Sequence, residues 1–455
     1  MQIKDFLNSV CEQIKYKPIR ESISEELKSH MEESKENYIE EGLAEDLAES
    51  KAIEQMGDSE EIGKRLNKIH KPKFDWKLAL ITAILLCFGF LISCIRTTSL
   101  LTSETDINYA LKYVSALIMG IVLSIGIYFF DYKKILKYSN QIYIIATIGI
   151  IWTLFAGCLR NGVPHFRIGT TVFAISIIAM PLYIIAFVGF LWNKEKEGKF
   201  QTFISNLGIN LDLNLCKIIL LSVMSLILLA SIPSTVSAFM LGVIYLILGT
   251  VKILKTEEKK KLKIVMLWGI PIIMALLFVF LYIGLTFRLD RFTAFVNPES
   301  DPNGSGWLAI NRKLIINSAQ NFGEAEDMSN ALELFEEGTN FAFISMLAHY
   351  GWVVTIGMVI TIIALSIKLI INSIKIKDLY GKMLIIGISS MFIIQSLFNI
   401  LMNLNLVPES NFNIPFVSYG RMDLVINMMS LALILSIYRK KDIVHVKMSN
   451  IVSNN

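Results

Sequence analysis

Residues 336–343, Glu-Glu-Gly-Thr-Asn-Phe-Ala-Phe, gather two carboxylates, a hydroxyl and an amide at the edge of an apolar run. A carboxylate there can take a proton from an attacking hydroxyl or hold a cation. An amide does neither, because it is essentially non-basic and carries no charge. If a helix begins early, Glu336 and Glu337 lie four and three residues before Asn340 on its face. Acids in a first helical turn are also favoured by the helix dipole, with no chemistry implied. His349 is a good base near neutral pH. It follows Asn340 by nine residues, which places it roughly 13 Å further along a helix.

Few other polar groups stand near apolar segments. Arg160, His165 and Arg167 fall in CLRNGVPHFRIGTTVF, Arg288 and Arg291 begin a long loop, and Arg421 and Asp423 open the last apolar run. Gln395 and Asn399 are four apart and share one helix face, as an interhelical hydrogen bond or a cavity lining would require. Ionisable groups at membrane depth are functional candidates. A single arginine fits an interfacial anchor equally well.

The elements that carry these residues are membrane spans. Of 455 residues, 54% are hydrophobic and only 18% charged, with a mean hydropathy of +0.55. Soluble domains are less apolar and more charged. The expected fold is therefore an all-α integral membrane protein. Spans of roughly 20 residues are expected near 76–95, 110–130, 141–158, 172–192, 216–232, 235–251, 264–286, 341–372, 382–402 and 421–438. The eighth is overlong, so its first turns are expected to stand above the bilayer. Lys and Arg concentrate in alternate loops, among them DYKKILKY, NKEKEGK, KILKTEEKKKLK, IKIKDLYGK and the tail YRKKDIVHVK. The positive-inside rule makes these cytoplasmic together with both termini. The opposite loops include the large 288–340 segment, with four basic and nine acidic residues. Within it, WLAINRKLIINSAQNF is amphipathic at helical spacing and is expected to lie along the outer surface.

Residues 1–72 precede the spans and carry a net charge of −6. They read as a small cytoplasmic helical domain, with helices in ISEELKSHMEESKENYIEEG, AEDLAESKAIEQMG and DSEEIGKRLNKIH. Asp58 and Ser59 are cap candidates for the last of these. KAIEQMGDSEEIGKRLNKIH resembles the helical prefix domain found ahead of some bacterial permeases and signalling membrane proteins. No cleavable leader is expected ahead of the first span. Residues 73–440 form the membrane domain and 441–455 a cytoplasmic tail. The five cysteines are scattered and suggest neither a disulfide framework nor a metal site. Nothing points to nucleic-acid binding.

IIQSLFNILMNLNLVPESNFNIPFVSYG resembles the C-terminal signature of the SEDS family (shape, elongation, division and sporulation; the RodA, FtsW and SpoVE group). Gln395, Asn399, Leu406, Pro408, Ile414, Pro415, Phe416, Ser418, Tyr419 and Gly420 fall on that pattern in order. RFTAFVNPESDPNGSGW and NGVPHFRIG are similar to two of the family's outer loops. The resemblance implies a peptidoglycan glycosyltransferase in the bacterial plasma membrane. Such an enzyme polymerises lipid II and releases undecaprenyl diphosphate. It implies a divalent cation, Mg²⁺ or Mn²⁺, a class B penicillin-binding protein as partner, and contact with membrane lipid. Arg288 and Arg291 would then either meet the diphosphate or position the loop. Thr339, Gln395, Asn399, Ser418 and Tyr419 would help bind substrate.

The departures from the family pattern fall at its chemistry. The family opens its eighth span with Thr-Asp-Phe, and that aspartate is its proposed catalytic residue. Here Thr339-Asn340-Phe341 stands instead. Ala348 and His349 replace two glutamates, Leu308 replaces a glutamine, and GRMD follows Ser-Tyr where the family has Gly-Gly-Ser-Ser. Three readings follow. The first is a glycosyltransferase in which Glu336 or Glu337 replaces the aspartate. The second is an inactive paralogue that binds lipid-linked precursor or a penicillin-binding protein and regulates wall synthesis, shape, division or sporulation. The third is a transporter of lipid-linked precursor, which should show more polar groups through the spans than this sequence has.

Overall fold

The computed structural model describes residues 2–69, 71–99, 109–160, 163–169, 171–192, 213–232, 235–255, 295–304, 306–326, 339–410, 412–418 and 420–441. The chain divides into two compact units, one of residues 1–75 with those from Tyr438 on, the other Trp76–Ile437. The expected seventh span, 264–286, lies outside the described residues. So do Arg288, Arg291, Glu336, Glu337 and Tyr419.

The first unit is built on a helix that the sequence analysis does not identify. In α1 (Ile3–Gln13), Ile3, Phe6, Leu7 and Val10 recur at helical spacing and are buried. They meet Ile14, Ile19, Ile23 and Met31 in one apolar core. The remaining helices are α2 (Arg20–Glu40), α3 (Glu45–Met56) and α4 (Ser59–Ile69). Helix α1 packs on α4, and α2 on α3. Gly63 of α4 allows that approach, since a Cβ there would stand 2.8 Å from the Val10 carbonyl oxygen. Asp58 caps α4 by accepting from the Glu60 N–H at 3.2 Å. The acids Glu60 and Glu61 follow in its first turn, where the dipole favours them.

In the second unit the apolar helices are α5 (Trp76–Ser99), α6 (Tyr109–Phe129), α7 (Ser139–Ala156), α8 (Ser176–Trp192), α9 (Leu213–Ser231), α10 (Thr235–Lys255), α12 (Ala342–Lys375), α13 (Leu379–Asn403) and α14 (Arg421–Arg439). A shorter helix, α11 (Trp307–Ser318), lies in the segment before α12. Among the described residues, seven helical stretches are long and apolar enough to cross a membrane, and α8 and Cys216–Ser231 are shorter apolar helices. Helix α8 packs against α7, α10 and α13, and α12 against α13 and α5. Accordingly α8 is apolar on every side, with Tyr183, Ile184, Ala186, Phe187 and Val188 all buried. Helices α6 and α12 instead leave Ile118, Val122, Ile125, Ile356, Ile360 and Ile363 exposed. Such faces suit hydrocarbon rather than water, as a multi-pass membrane protein requires.

Two features depart from plain helices. The stretch before α8 forms an antiparallel meander of β1 (Cys158–Arg160), β2 (Val163–Ile168) and β3 (Thr171–Phe173), where the sequence analysis expects only a loop. Cys158 pairs with His165, and Phe166 with Phe173. Gly169 turns β2 into β3 at φ 59. The second is a break in α12 at Gly351, with φ 79 and ψ −176. It accounts for the unusual length of the eighth span.

A broken helix leaves free carbonyls and N–H groups that need partners. The chain after α11 supplies them. The Trp352 N–H donates to the Gln320 carbonyl at 3.0 Å, and the Val353 N–H to that of Asn321 at 3.1 Å. The Ala348 carbonyl accepts from the Ala325 N–H at 2.7 Å. A Cβ at position 351 would lie 2.6 Å from the Gln320 oxygen, so φ and space both demand glycine. Gly351→Ala should therefore lower the unfolding temperature in detergent, by more than the ~1 kcal/mol that an unstrained glycine exchange changes. Gly357→Ala, one helical stretch further on with open space around it, should be neutral or stabilising.

Candidate functional site

Asn340 sits in a short 3-10 turn, Thr339–Phe341, that leads into α12. Its side chain is buried, and its Nδ2 donates to the Ser410 carbonyl at 3.1 Å. Asn399 of α13 comes to the same point. Its Nδ2 donates to the Asn340 carbonyl at 2.7 Å and to the Phe412 carbonyl at 2.5 Å. One turn on, Asn403 donates to the Asn340 carbonyl at 3.1 Å and to the Asn399 side-chain oxygen at 3.0 Å. Both asparagines are fully buried, where an unpaired carbonyl would be costly. The three residues form one amide cluster that ties the start of α12 to the segment after α13.

That segment, 410–418, is itself tightly folded. The Ser418 hydroxyl accepts from the Ile414 N–H at 3.0 Å, and the Ser418 N–H donates to the Ile414 carbonyl at 3.0 Å. Phe416 adopts φ 68, a conformation rarely taken by a bulky side chain. Its carbonyl accepts from the Tyr113 hydroxyl of α6 at 3.1 Å, and its ring meets Phe392 edge-on at 5.4 Å. Gly89 of α5 lies close against the same turn, where a Cβ would stand 2.7 Å from the Phe416 oxygen. A strained residue held from several helices marks a position worth a functional hypothesis. Beyond the turn, Asp423 at the start of α14 accepts from Asn413 Nδ2 at 2.8 Å.

Of the residues singled out in the sequence, Asn340 and Asn399 are brought into direct contact. Ser418 shapes the adjoining turn through its bonds to Ile414. Thr339 contributes its backbone to the turn. Gln395 is half-buried and outside the amide cluster. His349 pairs its Nδ1 with the Ser345 carbonyl at 3.1 Å. The sequence analysis missed Asn403, although Gln395, Asn399 and Asn403 form a polar stripe at four-residue spacing.

It also missed Arg312. In the amphipathic reading α11 is a surface helix, yet Asn311, Arg312 and Ile315 are its buried residues. Arg312 Nε donates to Asn405 Oδ1 at 2.8 Å, and Asn405 Nδ2 donates to the Ala309 carbonyl at 2.8 Å. The guanidinium stands over the Phe341 ring at 5.9 Å. Burial pulls its pKa below the ordinary arginine value, and Glu409 opposes that shift.

Among the described residues, no three His, Cys, Asp or Glu side chains come together as a metal site. The described residues at the Asn340 corner offer amides and carbonyls, a weak donor set for Mg²⁺ or Mn²⁺ on their own.

Comparison with known proteins adds the family. A family model described as "Cell cycle protein", covering FtsW, RodA and SpoVE, matches residues 76–443. The chain is 30% identical over 164 residues to a probable peptidoglycan glycosyltransferase FtsW of Trichlorobacter lovleyi, covering 35% of this chain and 42% of that protein. It is 28% identical over 377 residues to the probable peptidoglycan glycosyltransferase FtsW of Bacillus subtilis, covering 79% of this chain and 89% of the relative. The alignment thus spans under half of the first relative and most of the second. Among solved structures, the chain superposes with a TM-score of 0.59 and 19% identity on one described as "Structural coordination of polymerization and crosslinking by a peptidoglycan synthase complex". That likeness covers 81% of this chain and 98% of the other, and it establishes a common fold.

Removing the central amide should loosen this corner. Asn399→Leu leaves the Phe412 carbonyl without its donor, which costs about 1–3 kcal/mol. The expected readout is a lower unfolding temperature in detergent, with faster amide exchange across 410–418 than in the native protein.

Proposed function

The chain belongs to the family of cell-cycle proteins that includes FtsW, RodA and SpoVE, and from that premise we propose that it serves peptidoglycan synthesis as a glycosyltransferase-like membrane protein. Two of its relatives carry the name peptidoglycan glycosyltransferase, which supports the reaction class. In this reading a sugar hydroxyl attacks the anomeric carbon of lipid II, the glycosidic bond forms, and undecaprenyl diphosphate departs. A base must take the hydroxyl proton. Glu336 or Glu337 fills that role, since each carries a carboxylate within four residues of Asn340. The same carboxylates are where Mg²⁺ or Mn²⁺ would bind, and the cation would offset charge developing on the diphosphate. Arg288 and Arg291 would add their own charge there. Thr339, Gln395, Asn399, Ser418 and Tyr419 would bound the substrate site.

The basic loops and tail support cytoplasmic termini in a bacterial plasma membrane. A class B penicillin-binding protein is the proposed partner, in keeping with the similar solved structure described as a peptidoglycan synthase complex.

The observation that shapes this reading is the bond from Asn340 Nδ2 to the Ser410 carbonyl. An ionised carboxylate cannot donate that bond, so residue 340 acts here as a structural donor and proton transfer falls to a neighbour. The same observation favours a second reading, in which the corner binds lipid-linked precursor or the partner without turning it over.

Purified protein supplied with lipid II and Mg²⁺ or Mn²⁺, with its partner present, separates the two. Glycan polymer is expected from the native chain. Its rate should fall by about 10² or more when Glu336 and Glu337 are both changed to glutamine. Lipid II binding without polymer would favour the scaffold.

A further inference from the structure

The first unit is electrically divided. Residues 1–65 hold nine Lys and Arg against seventeen acids. The part that adjoins the spans reverses that sign. Residues 66–75, with 438–441 of the same unit, hold six Lys and Arg against one acid, Asp75, which is buried. The Lys73 N–H donates to the Arg439 carbonyl at 3.3 Å, which brings two basic segments from opposite ends of the chain side by side. The ion pairs of α4, Lys64 with Glu60 and Arg65 with Glu61, lie before this part and leave its charge intact. Lys441 Nζ bonds the Tyr438 hydroxyl at 2.9 Å, a neutral partner that does the same.

The place of these charges says what they meet. Trp76 opens α5 and Arg439 closes α14, so both basic segments stand where a span leaves hydrocarbon. Lys68, Lys71 and Lys73 are exposed, and so are Ile69 and Phe74 among them. Large apolar side chains set between lysines suit the boundary of headgroups and acyl chains better than water. Cations just outside a span are drawn to anionic headgroups, and the attraction fades within a Debye length. It depends on net charge, which a hydrogen bond to a carbonyl does not remove. The same headgroups repel the acids of residues 1–65, whereas neutral headgroups exert neither force. Orientation across the membrane needs only basic residues in cytoplasmic loops. It requires neither the pairing of the two segments nor the exposed apolar side chains between the lysines.

We propose that residues 68–74 and 439–441 form a binding surface for anionic phospholipid headgroups, with Ile69 and Phe74 set into the membrane interface. The lysines and Arg439 supply the attraction, and the acidic helices α1–α4 are kept off the same surface. This surface is separate from the amide corner and needs no glycosyl transfer, so the two readings stand or fall apart.

Native mass spectrometry of the full chain tests it, from micelles that hold phosphatidylglycerol and phosphatidylcholine in equal amounts with the same acyl chains. The native protein should retain phosphatidylglycerol in preference, and less so as the ionic strength rises from about 50 to 500 mM. Changing Lys68, Lys71 and Lys73 together to Gln should cut the preference about tenfold or more. Changing them to Arg should keep it. The same loss of charge at Lys133, Lys134 and Lys137, in the basic loop after α6, should alter it less than about twofold. Inorganic phosphate should not displace the lipid. Equal retention of the two lipids, an equal effect of the two triple Gln variants, or displacement by phosphate would each overturn the proposal. If the Lys68, Lys71 and Lys73 Gln variant fails to fold, the headgroup preference of the native and Arg proteins at low and high ionic strength decides alone.

Discussion

Two backbone carbonyls, those of Asn340 and Phe412, end in an apolar interior, and one side-chain amide serves both. Asn399 Nδ2 stands 2.7 Å from the first and 2.5 Å from the second. Without it the Phe412 carbonyl would be left unpaired, at a cost of about 1–3 kcal/mol, while Asn403 alone would hold that of Asn340. The rest of the corner depends on this clip. It sets where Asn340 points, and the Asn340 amide in turn holds Ser410. Tyr113 and Gly89 then receive the Phe416 turn from the other side. The candidate site is therefore rigid where it is described, as a site that must place a reacting group requires.

The break at Gly351 works to the same end. It lets the first nine residues of α12 form a short helix whose end is bonded by residues 320–325 rather than by the next turn. The Ala348 carbonyl thus holds Ala325, and the asparagine cluster holds Asn340.

Much of the fold is legible in the sequence, because a span needs only apolar length, and nine of the ten expected spans fall on described helices. The amide pair was half legible. The spacing of Gln395 and Asn399 shows a polar face, yet nothing in spacing says that its partner is the carbonyl of residue 340. Arg312 was not legible, since an arginine on an amphipathic helix reads as a solvent-facing charge until α11 is seen with that side turned inward. Helix α1 carries an ordinary apolar spacing at 3, 6, 7 and 10 that the acidic composition around it obscures. The meander at 158–173 is missed because its strands are three to six residues long, too short for alternation to stand out. The amide at position 340 reads in sequence as a lost aspartate, and in three dimensions as a donor whose acceptor is already in place.

That last point is the centre of the account, and Asn340→Asp probes it directly. An ionised carboxylate at 340 would face the Ser410 carbonyl, oxygen against oxygen, while a protonated one could still donate. Burial and that carbonyl both raise its folded pKa above the unfolded value of about 3.9. A group raised in this way keeps its stability below the unfolded pKa and loses it as pH rises through the folded one. The measurement is the difference in unfolding temperature between native protein and Asn340→Asp from pH 4 to 8. The account predicts a small gap at low pH that widens steadily as pH rises. A gap independent of pH, or an aspartate variant more stable than the native protein at neutral pH, would contradict it.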